Sequence, residues 1–257
     1  MHLHLCHYFR YQVIRIQIYK YYNIKSRYVV VDRYNTKSQM WENNDKNSYA
    51  THTQHSVGQI CNDSFYEDIK NIASDPRFKT FLEIGTWNGL GSTKAFIEGF
   101  KKRQDADKDF IFYSLECNTD KWSDAVKLYN DSRVHILNEV IWNEEPDNFY
   151  ETFPQCLTDS TFKHWNEVDI INMKKCDLFL QRKNLPDVFD VILLDGGEFT
   201  TYYEFQLLKN RCSLLMLDDI NVDKCKRIVE ELQNSPQWKI IKQEPLRNGY
   251  LIAKRIY

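Results

Sequence analysis

A chain of 257 residues with 34 Lys and Arg against 36 Asp and Glu carries a formal charge of −2. That balance excludes the strongly basic character of a protein that lives on nucleic-acid phosphates. Seven cysteines, at 6, 61, 117, 156, 176, 212 and 225, form no CxxC pair, so neither a disulfide framework nor a zinc site is expected, and a reducing, cytoplasmic setting is.

No apolar run approaches the ~18 residues of a membrane span, and MHLHLCHYFRYQVIRIQIYK lacks the unbroken apolar stretch of a secretory signal. Residues 1–57 read as a basic, tyrosine-rich extension and linker. Up to Asn35 there are six Lys or Arg, one acid and seven tyrosines. VIRIQIY alternates weakly, as a strand would, and a polar, aperiodic stretch follows. His2, His4, Cys6 and His7 read as a ragged terminus rather than a ligand set.

A regular pattern begins near Asp63 and sets the domain at 58–257. Ser64 and Glu67 have capping-box spacing, and Phe65, Ile69 and Ile72 share a helical face. KTFLEIG is a buried-strand run, and residues 91–102 read as a helix. DFIFYSLE is the next strand, KWSDAVKLY the next helix and RVHILNEVIW a third strand. Residues 142–187 are polar and weakly periodic, and are expected to form an insertion with one or two short helices; His164 and Trp165 fall within it. FDVILLDGG is a strand, TTYYEFQLLKNR a helix and CSLLMLDDI a strand. Val222, Cys225, Ile228, Val229 and Leu232 mark a last helical face. WKIIKQE and GYLIAKRI close the chain as an antiparallel pair, with Asn248-Gly249 as the turn signal. Such alternation predicts a parallel sheet with helices on both faces and a ligand at the carboxyl ends of the strands.

FLEIGTWNGLGSTKAF, residues 81–96, spends three of the chain's eight glycines between a strand and a helix. Glycine turns tightly and keeps a Cβ out of a ligand's way, and the helix start beyond offers free N–H groups. A nucleotide-like ligand is therefore expected across this loop. The spacing G-x-x-x-G-x-G, with Trp87 inside it, matches neither the G-x-G-x-x-G of dinucleotide folds nor a P-loop. An NAD-dependent oxidoreductase is accordingly disfavoured.

Glu83, Gly85, Gly89 and Gly91 instead resemble motif I, E-x-G-x-x-x-G-x-[GS], of class I S-adenosylmethionine (SAM)-dependent methyltransferases. Glu116 ends the second strand where that family carries its ribose-binding acid, and DVILLDGG resembles motif IV with Asp195 at the strand end. The resemblance covers about residues 63–255 and looks closest to small-molecule O-methyltransferases. It implies a Rossmann-like α/β three-layer sandwich with a mostly parallel seven-stranded sheet and an antiparallel last strand. It also implies SAM as cofactor, bound by Glu83, Gly85, Thr86, Gly89, Gly91, Ser92, Glu116, Asn118 and Asp195.

Methyl transfer to oxygen needs a base to take the hydroxyl proton, or a metal that lowers the pKa of the hydroxyl so that the proton leaves more readily. Asp195 is the leading catalytic residue. Glu198 reads either as a base or as a cap for the helix beginning near Thr200. Gly197 and Glu198 stand where the resembling enzymes carry Asp and His. Asp195, Asp218 and Asp219 could hold Mg²⁺, but metal-free chemistry is the favoured reading. The expected acceptor is a small molecule or a glycan, with no membrane span and no nucleic-acid partner. RNA or protein N-methylation, and an inactive binding module on the same fold, are the alternatives.

Overall fold

The computed structural model describes residues 60–103, 109–145 and 149–256. The expectations placed on residues 1–57 lie outside the described residues.

Helix α1 (Ser64–Ser74) leads into β1 (Thr80–Ile84), then α2 (Ser92–Lys101), β2 (Ile111–Leu115), α3 (Thr119–Ala125) and β3 (Val134–Leu137). After the insertion come β6 (Phe189–Leu194), α7 (Thr201–Leu208), β7 (Cys212–Asp218), α8 (Asp223–Asn234), β8 (Trp238–Glu244) and β9 (Tyr250–Arg255). β4 (Glu139–Val140) directly precedes the insertion, which holds α4 (Phe149–Thr152), α5 (Gln155–Thr158), α6 (Ser160–Met173) and β5 (Asp177–Leu178). β4 and β5 pair only with each other.

The seven main strands run in the order β3-β2-β1-β6-β7-β9-β8. All neighbours are parallel except β9, which is antiparallel to both β7 and β8. The chain leaves β1 for β2 and β3 on one side and returns to β6 on the other. The carboxyl ends of β1 and β6 therefore flank the topological switch point, where the connections diverge and leave a crevice.

Strand alternation divides the core into two layers. Leu82, Ile84, Ile192, Leu194, Leu215 and Leu217 pack with Phe205 and Leu208 of α7 and Ile228 and Leu232 of α8. Phe81, Phe112, Val191, Leu193, Leu214 and Met216 pack on the other face with Phe65 and Ile69 of α1 and Phe96 and Phe100 of α2. This is the expected three-layer sandwich. Gly99 lets α1 and α2 approach closely, since a Cβ there would lie 2.4 Å from the Lys70 carbonyl.

Several local readings need correction. The cap of α1 is Asp63, whose side chain accepts from the Tyr66 N–H, so the capping signal sits one residue before Ser64. α3 starts two residues earlier than KWSDAVKLY because Asn118 caps it, accepting from the Asp120 and Lys121 N–H groups. The third strand breaks at Asn138, whose amide donates to the Glu116 and Cys117 carbonyls and takes the chain out of the main sheet. Among its described residues the insertion carries three α-helices, one of them 14 residues long, and a 3-10 turn at Phe179–Gln181, rather than one or two short helices.

Candidate active site

The loop after β1 is pinned from beneath. Gly85 and Thr86 donate their N–H groups to the Leu115 carbonyl, and Gly89 donates to the Thr86 carbonyl. Gly85 has φ +99°, and a Cβ on it would lie 2.1 Å from the Asp195 backbone oxygen. Gly89 has φ +77°, and its Cβ would press on Ala125 and Tyr129 of the neighbouring segment. Both glycines are thus required by backbone conformation and by the protein atoms packed against them. Gly91 is the N-cap of α2 and offers no side-chain hydrogen bond to it. Trp87, with φ +51°, stands 48% exposed on the loop, with the Lys121 ammonium 4.1 Å from its ring centroid.

Under the loop lies a polar knot. Glu83 is 0% exposed, and its Oε2 accepts from the hydroxyls of Thr93 (2.7 Å) and Ser114. Ser114 also shares a hydrogen bond with the Thr86 hydroxyl, and Ser92 bonds toward the same carboxyl. Glu83 Oε1 has no partner among the described residues. Burial pushes the Glu83 pKa up to about 7, against the pull of the Ser114, Ser92 and Thr93 hydroxyls.

Glu116, also buried, accepts from the Trp87 N–H at 2.6 Å and the Asn118 N–H at 2.8 Å. Burial raises its pKa, and these two N–H groups offset part of the rise. Asn118 has its own side chain committed to capping α3.

Across the switch point, the Asp195 N–H donates to the Ile84 carbonyl, which ties β6 to β1. The Asp195, Asp218 and Asp219 carboxylates lie within 4.8 Å of one another. Two cations that sequence reasoning missed are set among them. Lys224 Nζ lies 2.9 Å from Asp219 and 3.5 Å from Asp195. Arg247 pairs with Asp218 at 2.6 Å and also with Asp63.

Burial raises the Asp195 pKa well above the ordinary range, with Lys224 opposing it and Asp218 and Asp219 adding to it. Burial and then the Asp219 charge push Asp218 up to about 6. Burial would raise Asp219 too, but Lys224 and Asn248 outweigh it and hold that carboxyl low. Asp219 adopts φ +57°, a left-handed conformation that Asp tolerates better than most residues.

Glu198 makes no hydrogen bond among the described residues, and α7 starts without a side-chain cap. The capping alternative for Glu198 is therefore not what the structure shows. Burial raises its pKa, with Lys224 opposing and Asp219 and Asp223 adding. Asp169 of α6 and Glu204 of α7 also approach this end, and burial pushes both up to about 7. Asp169 Oδ2 lies 3.0 Å from where a Cβ on Gly197 would be, and Glu204 Oε2 lies 2.9 Å from the same point on Gly196. Neither residue was legible beforehand. Lys224 had a signal, a cation in the first turn of a helix, where acids are favoured. His164 is exposed, whereas Trp165 packs beside the cluster of Phe149, Phe153 and Phe199.

No protein-family model and no curated protein matches the sequence. Solved structures do. A protein from Staphylococcus aureus, provisionally assigned as a caffeoyl-CoA O-methyltransferase, is 16% identical with a TM-score of 0.50, over 85% of this chain and 91% of that one. An O-methyltransferase from Bacillus cereus in complex with SAH is 13% identical with a TM-score of 0.50, over 89% and 94% of the two chains. The chain shares the Rossmann-like α/β fold of these two proteins. Within that fold the two acids at the ends of β1 and β2, the glycine loop and the carboxylates at the ends of β6 and β7 all meet at the switch point. Among the described residues no helix is long and apolar enough to cross a membrane.

Proposed function

We propose that the protein is a SAM-dependent methyltransferase acting on a hydroxyl of a small molecule or glycan. The observation that carries this reading is Glu83, a fully buried carboxyl under the glycine loop with one oxygen left without a partner. An unpaired buried acceptor is costly, and a ligand ammonium such as that of the methionine moiety would relieve it. Glu116 supports the same reading. An ionised carboxylate has about four acceptor sites; the Trp87 and Asn118 N–H groups and the Cys117 thiol engage it, which still leaves capacity for a ribose hydroxyl. Thr86 and Ser92 would act on the cofactor through Glu83, because their hydroxyls belong to its hydrogen-bonded knot.

SAM supplies an electrophilic methyl group on a sulfonium. The chain's residues align the acceptor oxygen and receive its proton. Asp195 and Glu198 are the proposed proton acceptors, since a carboxyl whose pKa is raised is a better base near neutrality. Asp169, Glu198 and Glu204 would border the acceptor with carboxyl groups whose pKa values burial raises. Carboxyl groups that burial keeps partly protonated can both donate and accept hydrogen bonds, which suits a polyhydroxyl or amine-bearing acceptor.

Calorimetry of the full chain with SAM tests the proposal. Saturable binding is expected, weakened by about 1.5–3 kcal/mol in Glu116→Gln, the scale of hydrogen bonds to a charged group. Methyl-labelled SAM with pooled hydroxyl acceptors should then transfer label. A folded protein that binds no SAM would end the proposal, and one that binds SAM but labels only RNA or protein would redirect it.

A further inference from the structure

Lys224 occupies a position that its own helix does not favour. It is the second residue of α8, where the helix dipole repels a cation. It is also only 5% exposed, and an ammonium pays heavily for burial unless it is paired. The compensation comes from three acceptors: Asp219 at 2.9 Å, Asp195 at 3.5 Å and the Gly196 carbonyl at 3.1 Å. Those three match the three donors of an ammonium. The carboxylates held in this way are the ones that would otherwise form a divalent-ion site. Arg247 takes up the third, Asp218, and the Asn248 amide donates to Asp219.

We propose that Lys224 is the resident cation of this carboxylate cluster. Its ammonium occupies the space between the ends of β6 and β7 that a divalent ion would need. It neutralises Asp219 and fixes the carboxylate of Asp195, so this end of the sheet works without a metal. A hard cation bound to the same oxygens would lie against the ammonium, and the two positive charges would repel at short range in a poorly solvated pocket. Lys224 is here a positioning residue. Its bearing on methyl transfer rests on the reading above, whereas the cation assignment does not.

The test is Mn²⁺ binding to the full chain without SAM, followed by electron paramagnetic resonance and by the thermal midpoint. Wild type and Lys224→Arg should bind no Mn²⁺ at the cluster at millimolar concentration. Lys224→Met should gain one site with a Kd on the order of 10⁻⁴–10⁻³ M, the range of weak oxygen-ligand sites. Mn²⁺ should raise the melting temperature of that variant alone, and adding Asp219→Asn should abolish the gain. Mn²⁺ binding by wild type that disappears in Asp219→Asn would overturn the proposal. So would a folded Lys224→Met protein that gains no site. Should Lys224→Met not fold, wild type and Lys224→Arg decide: a folded arginine variant blind to Mn²⁺ supports the resident cation, and one that binds it overturns the idea. A metal gain in a protein that binds no SAM would sink the methyltransferase reading and leave this inference standing.

Discussion

Glu83 shows how a single buried carboxyl links sequence, stability and binding. Its place two residues before Gly85 was legible because motif spacing fixes it, and alternation along β1 sends it to the α2 face. The missing partner of its Oε1 was not legible, because that depends on how Thr93, Ser92 and Ser114 converge from two other elements. A folded-state pKa of about 7, raised by burial above the ordinary carboxyl range, has a definite linkage sign. The folded protein holds the proton more tightly than the unfolded chain. Glu83 therefore favours folding fully below its unfolded pKa of roughly 4.3, and that contribution is lost as pH rises to about 7. Relative to Glu83→Gln, wild type should lose stability across this window and run parallel to the variant above it. Denaturant melts at pH 4.5 to 8.5 (a range set by the unfolded pKa of about 4.3) would show it. A constant difference between the two proteins across the range would mean that Glu83 keeps its proton or its charge throughout.

At the scale of elements, legibility followed burial on both faces. β1, β6 and β7 are mostly apolar runs, broken within by Glu83, Asp190 and Ser213, because helices cover both sides of the sheet, and they stand out for that reason. α6 did not stand out. Of its 14 residues only Asn166 and Met173 are buried, so no apolar stripe marks it. Its neighbours α4 and α5 are held instead by an aromatic cluster whose sheet-side member is Phe199, in the loop after β6. Phe199 lies 5.3 Å from the Phe149 ring centroid and 5.5 Å from that of Phe153. Phe199→Ala should cost about 3–5 kcal/mol locally, the usual range for a buried Phe. The insertion keeps other ties, including the Arg182–Glu139 pair and the Trp142–Tyr203 stack. Hydrogen exchange should therefore accelerate across residues 149–166 and stay slow in β1, β6 and β7. Uniform acceleration through the sheet would show instead that Phe199 supports the whole core.

For the whole molecule, the question is where the folding unit begins. Periodicity places the boundary at residue 57, because capping and helical spacing start only near Asp63. The packing around α1 supports a cut there and not later. Ile60 is 2% exposed and belongs to the core layer of Phe65, Ile69, Phe81 and Phe96. Asp63, just inside the boundary, caps α1 and pairs with Arg247 in the loop before β9, so the first helix is tied to the far end of the chain. Tyr250 of β9 stacks on Phe65 and donates to Asp68, which repeats the tie. Residues Val57–Tyr257 form one compact unit, with both faces of the seven-stranded sheet covered from within it. A fragment starting at residue 57 should accordingly fold with a single cooperative transition, and its sheet should show the hydrogen-exchange protection of the full chain. A fragment starting at Ser64 loses Ile60 and the Asp63 cap. A lost cap costs about 0.5–2 kcal/mol and an apolar core side chain about 2–5 kcal/mol, so this shorter fragment should melt clearly lower. Circular dichroism melts of the two fragments check the ordering. A residue-57 fragment that is soluble but melts without cooperativity would place part of the core's support in residues 1–56, and equal stability of the two fragments would show that the ties at Ile60 and Asp63 contribute nothing.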